Sequence, residues 1–163
     1  MEGIVHIGID ARMIHGQVAV MWSNYLRVNR IMVANDAVAE DEITKSALRM
    51  VAPAGMRTSL ISLETAANNI LAGKYKGQRV MMVLTSPLDA VRLMDLGLQI
   101  EAINVGNLSM RENTVQIKKS VCVTKEEAQA FRVLIERGVE VTSIMVPDEA
   151  TSYIGDFLTK SGL

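Results

Sequence analysis

The chain of 163 residues has a formal net charge of −1 at pH 7, and 49% of its residues are hydrophobic. This length and composition fit one globular domain. A charge so close to zero gives no basic excess for a nucleic-acid backbone, so we expect no nucleic-acid partner. No apolar run approaches the roughly 20 residues that cross a bilayer, and the N-terminus lacks a signal-peptide pattern, so we expect a cytoplasmic protein.

Short apolar runs alternate with amphipathic segments in the first half of the chain. The spacing predicts strands at 4–10, 30–34 and 57–61, and helices at 16–26, at 42–51 and from a cap at Ser62 to Gly73. In the helix at 42–51, Ile43, Ala47, Leu48 and Val51 share one face. Such spacing is typical of an amphipathic helix.

The second half continues the alternation. Strands are predicted at 79–84, at 102–105, around 121 and at 139–146, with a loop at 106–113. Ser86 and Pro87 supply a cap and a first helical position for a helix that ends at Gly97. Thr124 and Glu127 form a capping box for a helix to residue 137, and a last helix is predicted at 148–158.

The alternation of strand and helix is the pattern of repeated βαβ units. We see no internal repeat, low-complexity tract or linker. The sequence therefore predicts a single doubly wound α/β domain over residues 1–163, with a mostly parallel central sheet and helices on both faces.

The loop after the first strand reads I-D-A-R-M-I-H-G-Q. In such folds, ligands bind outside the carboxyl ends of the strands, and a helix N-terminus there favours phosphate. Arg12 could grip phosphoryl oxygens through two donors. A histidine with an ordinary pKa of about 6.5 is mostly neutral and nucleophilic near neutral pH, which suits His15 for taking and releasing phosphate. Asp10 could orient the imidazole or hold Arg12, and Gly16 and Gln17 could bind the phosphate.

Other interpretations of these residues stay open at this point. A lone histidine in such a loop is more often a solvated or capping residue, and Asp10 with Arg12 could be a surface ion pair worth less than about 1 kcal/mol. We interpret His6 as a packed or half-exposed strand residue and Cys122, the only cysteine, as a buried one.

Several kinds of site find no support in the sequence. The acidic run at 40–42 indicates a helix N-terminus and not a metal site. No phosphate-binding glycine loop, dinucleotide fingerprint or serine-hydrolase motif is present. We therefore predict no metal and no cofactor.

The segment D-A-R-M-I-H-G-Q resembles the signature D-D-R-L-I-H-G-Q of the IIB components of the mannose-type (mannose, fructose, sorbose) bacterial phosphotransferase system, or PTS. The segments V-A-N-D-A-V-A-E-D-E, T-S-P-L-D-A-V-R-L, I-N-V-G-N and V-T-S-I-M-V-P are also similar to the family, in the same order along the chain. Ala11, where aspartate is common, and Asn107, where a second glycine is common, depart from the family pattern.

The resemblance implies a protein-N(π)-phosphohistidine–sugar phosphotransferase. Such a subunit accepts phosphate from a IIA protein on the histidine that matches His15, and transfers it to a sugar entering through the membrane subunits IIC and IID. The family's arginine and first aspartate fall on Arg12 and Asp10. The protein would then lie in the cytoplasm, peripherally associated with those subunits, and a homodimer is left open. Taken as a whole, the sequence most resembles the N-acetylgalactosamine branch of the family.

Two other functions remain as alternatives. The chain could be a regulatory module of the same fold that uses phosphorylation only as a signal, or a plain anion- or nucleotide-binding domain. We also expect the first and fourth strands to be neighbours, which would let Ser86 face a phosphate on His15. The alternative is that Ser86 only caps its own helix.

Overall fold

Eight strands and seven helices make up the computed structural model, which describes residues 1–163. In chain order they are β1 (Ile4–Asp10), α1 (Gly16–Leu26), β2 (Arg30–Ala34), α2 (Asp36–Ala39), α3 (Glu42–Val51), β3 (Arg57–Ile61), α4 (Leu63–Leu71), β4 (Val80–Leu84), α5 (Pro87–Asp95), β5 (Ala102–Asn107), β6 (Val115–Lys118), β7 (Val121–Val123), α6 (Lys125–Glu136), β8 (Glu140–Thr142) and α7 (Ile154–Lys160).

Six strands form the central sheet in the order β3-β2-β4-β1-β5-β8, and every pair in it is parallel. The chain leaves β1 toward β2 on one side and leaves β4 toward β5 on the other, so the strand order reverses between β4 and β1. The prediction that the first and fourth strands are neighbours is confirmed. Their loops therefore open at the same carboxyl edge.

Two apolar layers cover the sheet. The larger one packs residues from α4, α5, α6 and α7, such as Leu93 and Phe131, and the smaller one packs residues from α1 and α3, such as Trp22 and Leu48. Successive β4 residues alternate between the two layers because neighbouring side chains of a strand point to opposite faces of the sheet. Met82 packs in the larger layer and Val83 packs in the smaller one. The doubly wound architecture is thus confirmed.

A small antiparallel hairpin, β6–β7, stands beside the central sheet. Its first strand was outside the prediction, whereas the strand around residue 121 is present. The backbone of Leu108 connects the hairpin to the end of β5 through hydrogen bonds with Ser120 (2.9 Å) and Cys122 (2.8 Å). Cys122 is buried in this strand, as predicted.

The C-terminal boundaries differ most from the prediction. The strand predicted at 139–146 covers only Glu140–Thr142, and the helix predicted at 148–158 begins at Ile154. After Thr142 the backbone bonds leave the ladder, since the Ser143 N–H donates to the Ser152 carbonyl at 2.7 Å and the Asn104 side chain takes the Ile144 N–H. The segment between Ser143 and Ser152 therefore closes on itself and shortens both elements.

The helix α3 has the predicted bounds, but its apolar residues do not all face the core. Of the four that share the predicted face, only Leu48 is buried, while Ile43, Ala47 and Val51 are exposed.

No helix of the protein has the length and hydrophobicity that crossing a bilayer requires.

Candidate functional site

His15 is the last residue of the loop that connects β1 to α1 at the carboxyl edge of the sheet. It is the N-cap of α1, with extended backbone (φ −115°, ψ 97°), and its carbonyl accepts the first helical bond from Ala19 at 2.9 Å. Its side chain is exposed and makes no capping hydrogen bond. The imidazole is therefore free, and the N–H groups of the first helical turn have no side-chain acceptor.

Arg12 and Asp10 form a two-point ion pair. Arg12 donates from Nε to Oδ1 of Asp10 at 3.0 Å and from Nη2 to Oδ2 at 2.9 Å, and its backbone N–H donates to Oδ1 at 2.8 Å. The hydrogen bond to Asp10 raises the pKa of Arg12, and partial burial opposes it. Asp10 thus holds Arg12 and not the imidazole of His15. The Nη1 group of Arg12 has no hydrogen-bond partner in the protein.

The loop between β1 and α1 is fixed by its backbone. The Met13 N–H donates to the Asp10 carbonyl at 3.0 Å, and Met13 adopts a left-handed conformation with φ 66°. The Ala11 N–H donates to the carbonyl of Asn107 at 3.0 Å. Asn107, which departs from the family pattern, belongs to β5, and its side-chain oxygen accepts a hydrogen bond from Ser109. Its contact with the β1–α1 loop is made by its backbone carbonyl.

Gly16 and Gln17 are exposed in the first turn of α1, next to His15. A Cβ added at Gly16 would meet no atom within 4 Å, and the backbone there lies outside the left-handed region. Neither packing nor backbone conformation therefore requires glycine at this position. The space beside it is open to a ligand that approaches the N–H groups.

Ser86 lies in the loop after the neighbouring strand. The β1–β4 register pairs Ile9 with Leu84, which brings the two loops side by side. The Ser86 hydroxyl accepts the N–H of Leu88 at 3.1 Å and caps α5, so the capping role is confirmed. Whether it also faces a phosphate stays a prediction.

A half-open pocket lies beneath the loop. Asp10 and His15 line it, while Arg12, Gly16, Gln17 and Ser86 do not. Its other lining residues come from β1, the β1–α1 loop, α1, β2, β4, β5 and the segment after β8, and include His6, Gly8, Trp22, Asn104, Gly106 and Met145. Arg12 and the candidate phosphate-binding residues thus lie outside the lining of this pocket.

His6 and Trp22 form the aromatic wall of this pocket. Their rings stack with centroids 4.7 Å apart, and the Trp22 indole donates to the Met145 carbonyl at 3.0 Å. Burial lowers the pKa of His6 from 6.5 to about 4, so it is neutral near pH 7. The prediction that His6 is a packed or half-exposed strand residue is confirmed, since it is partly buried and stacks on Trp22. Its contact with Trp22 was missed, because no local pattern signals a contact between a strand and the next helix.

A polar chain at the same edge was also missed. Asn35 donates to the Thr85 hydroxyl at 3.0 Å, and Thr85 donates to Asp89 at 3.4 Å. Burial is the main cause that raises the pKa of Asp89. These contacts join the loops after β2 and β4.

The acidic run at 40–42 serves the start of a helix, as predicted. Asp41 accepts the N–H groups of Ile43 and Thr44, both at 3.1 Å, and the Thr44 hydroxyl at 2.7 Å. The bond from the Thr44 hydroxyl, followed by those from the backbone, lowers the pKa of Asp41. No group of three or more His, Cys, Asp or Glu side chains is placed to hold a metal ion.

The chain matches known proteins over nearly its whole length. A family model described as "PTS system sorbose subfamily IIB component" matches residues 4–163. The mannose-specific EIIAB component of Escherichia coli (strain K12) is 35% identical over 152 residues, which are 93% of this chain and 47% of that protein. The chain therefore spans about half the length of that relative.

Two further relatives match over almost their full length. The N-acetylgalactosamine-specific phosphotransferase enzyme IIB component 2 of Escherichia coli (strain K12) is 36% identical over 149 residues, which are 91% of this chain and 94% of that protein. The crystal structure of the IIBSor domain of the sorbose permease from Klebsiella pneumoniae is similar with a TM-score of 0.93 at 33% identity, covering 99% of this chain and 98% of that one.

Proposed function

Because the chain belongs to the sorbose subfamily of IIB components of the PTS, we propose that it carries a phosphoryl group on His15 and passes it to a sugar during uptake. Family membership makes the protein a sugar-specific phosphotransferase component of the mannose type. The residue that carries the phosphate, its donor, its membrane partners and the sugar are the parts that we propose.

One observation carries the assignment to His15. Its imidazole is exposed at the N-terminus of α1, in a loop where Asp10 holds the Arg12 guanidinium by two hydrogen bonds. The helix N-terminus and Arg12 both favour an anion, and His15 is the nucleophile beside them. His6 is the other histidine of the chain, and it is packed against Trp22.

The transfer consists of two displacements at phosphorus. A ring nitrogen of His15 attacks the phosphorus of a phosphohistidine on the donor, and the donor's P–N bond breaks. A sugar hydroxyl then attacks the phosphorus on His15, the new P–N bond breaks, and the hydroxyl loses its proton. Arg12 and the N–H groups of the first helical turn stabilise the negative charge on the transferring oxygens in both steps.

The partners follow from the same proposal. A IIA protein or domain supplies the phosphate, and the membrane subunits IIC and IID present the sugar, so the protein would work in the cytoplasm in peripheral contact with them. We propose N-acetylgalactosamine as the first sugar to test. The relatives named for that sugar and for mannose are 36% and 35% identical to this chain, so mannose is tested in parallel.

The experiment that tests the proposal follows the label from a phosphorylated IIA donor. The wild-type protein should take up one phosphoryl group in an acid-labile, alkali-stable form, and His15→Ala should take up none. His6→Phe serves as the control because it keeps a ring against Trp22, and it should be labelled like the wild type. Label that persists in His15→Ala would show that another residue carries the phosphate.

A further inference from the structure

The outer face of α3 carries an apolar stripe that no other part of the chain covers. We define the α3 stripe as Ile43, Ala47, Met50 and Val51, which recur at helical spacing and are all exposed. Ile43 and Met50 are 84% and 85% exposed. Single apolar residues on a surface are ordinary, but an apolar stripe along one face of a helix indicates an interaction surface.

Charged residues border the stripe on one flank. Glu42 and Arg49 lie seven residues apart, which is two helical turns, so they project from the same flank. Both are exposed. Glu42 makes one ion pair, with Lys45 of its own helix at 3.3 Å, and Arg49 makes none. The flank therefore has an acid near the N-terminus of α3 and an unpaired base near its C-terminus.

This arrangement is complementary to itself under a two-fold axis. When two α3 helices pack antiparallel about an axis near residue 47, Ile43 of one copy lies against Met50 of the other, and the small Ala47 lies at the crossing. The same axis places Glu42 of each copy beside Arg49 of the other. The two helix dipoles are then also antiparallel. A partner with a flank of one sign would satisfy only one of the two charges.

We propose that the α3 stripe is the homodimer contact of this protein, formed by an antiparallel pair of α3 helices. One helix pair buries less area than the roughly 1,200–2,000 Å² of a stable interface, so the dimer is weak. Its dissociation constant is expected between about 1 µM and 1 mM. The proposal goes beyond the phosphate-carrier function and does not depend on it.

Disulfide trapping tests the two-fold arrangement directly. The native Cys122 is buried, so Ala47→Cys places one exposed thiol at the helix crossing. Under mild oxidation it should form a covalent dimer at least tenfold faster than Ala72→Cys. Ala72 is the matched control because it is also an exposed alanine, at the end of α4. Equal rates for the two variants would overturn the proposal.

Sedimentation equilibrium from about 10 µM to about 1 mM measures the association itself. Ile43→Glu with Met50→Glu should abolish dimerisation, and since both positions are exposed the fold should be unchanged. Arg49→Glu should weaken the dimer about tenfold, and adding Glu42→Arg to the same chain should restore it. A monomeric wild type, or a dimer that survives both glutamates, would overturn the proposal. A monomer whose stripe variants lose sugar phosphorylation with membranes would overturn it in favour of a docking site for another protein.

Discussion

At the scale of single residues, Asp10 and Arg12 act as a unit. Three hydrogen bonds join them, so the Arg12 guanidinium is held against the Asp10 carboxylate while its Nη1 group stays without a partner. A guanidinium fixed in this way can meet a phosphoryl group without losing further side-chain freedom. The Arg12 side chain remains about a quarter exposed, so an anion from solvent can reach it.

We predict that Arg12→Lys slows phosphoryl transfer to His15 on the order of 100-fold, because lysine keeps the charge and loses the two-point contacts with Asp10 and the phosphate. The rate of labelling from a phosphorylated IIA donor measures it. Arg27→Lys is the matched control, since Arg27 is exposed at the far end of the same helix. Equal rates for both variants would make Arg12 an ordinary surface residue.

His6 is a second residue with a specific physical consequence. Burial against Trp22 lowers its pKa to about 4 in the folded protein, whereas the unfolded chain has a value near 6.5. Between these pH values the unfolded chain binds a proton that the folded protein excludes. The free energy of unfolding therefore falls as the pH falls from about 6.5 to about 4, by at most about 3 kcal/mol, and His6 adds no further loss below that range.

We predict that His6→Phe removes this part of the acid destabilisation, because phenylalanine can keep the stacking on Trp22 and takes no proton. Urea unfolding at about pH 7 and about pH 4.5 measures the difference in each protein. The two proteins should differ far more in their pH dependence than in their stability near neutral pH. An identical loss of stability in both would assign the acid sensitivity to other groups.

At the scale of secondary-structure elements, Glu127 joins the start of α6 to the loop after β5. Its carboxylate accepts the Thr124 N–H at 3.0 Å as half of the capping box, and accepts from Arg111 at 2.8 Å. Arg111 also donates to the carbonyls of Ser109 and Cys122. One buried carboxylate thus connects a helix N-terminus, the hairpin β6–β7 and the loop that leaves β5.

We predict that Glu127→Ala lowers the free energy of unfolding by about 3 kcal/mol, because it removes the Glu127 half of the capping box and leaves the half-exposed Arg111 without its carboxylate. The control is Asp95→Ala, which breaks the ion pair with Arg137 at 3.0 Å. Asp95 is mostly exposed, so this change should cost less than about 1 kcal/mol. Equal costs in urea unfolding would mean that burial does not strengthen the Arg111–Glu127 pair.

Most elements could be predicted from the sequence, since their signals are local. The caps Ser62, Ser86 and Thr124 hold their helices as the sequence indicates. The end of β8 could not be predicted, since after Thr142 the chain leaves the sheet and Ser143 bonds with Ser152, nine positions later. The exposed face of α3 could not be predicted either, because helical periodicity reveals an apolar face but not what covers it.

At the scale of the whole molecule, the candidate site also combines residues that a local pattern groups with contacts between distant parts of the chain. Asp10, Arg12 and His15 lie within six residues of one another, so a local motif was enough to group them. The contacts that complete the site join residues far apart in the sequence. The Asn107 carbonyl accepts the Ala11 N–H, and the Met145 carbonyl accepts from the indole of Trp22, 123 positions away. No spacing rule reports such contacts, because they depend on the strand order.

The strand order also decides which loops can act together. The strand β4 is the immediate neighbour of β1, whereas β3 is three strand spacings away, or roughly 14 Å. Ser86 and Ser62 are both N-cap serines at the carboxyl edge, one after each of these strands. They therefore form a matched pair of positions, one after the strand next to β1 and one after a strand three spacings away.

We predict that Ser86→Asp slows phosphoryl transfer to His15 about tenfold or more, while Ser62→Asp leaves the rate unchanged. Aspartate is as good an N-cap as serine, so both helices should keep their stability. The new charge at position 86 would repel a phosphoryl group a few ångströms away, whereas at position 62 the distance exceeds the Debye length of about 8 Å in physiological salt. Labelling rates and urea unfolding of both variants measure the two effects. An undiminished rate in Ser86→Asp would restrict Ser86 to capping α5, and the assignment of the phosphate to His15 would stand, because it rests on α1 and Arg12.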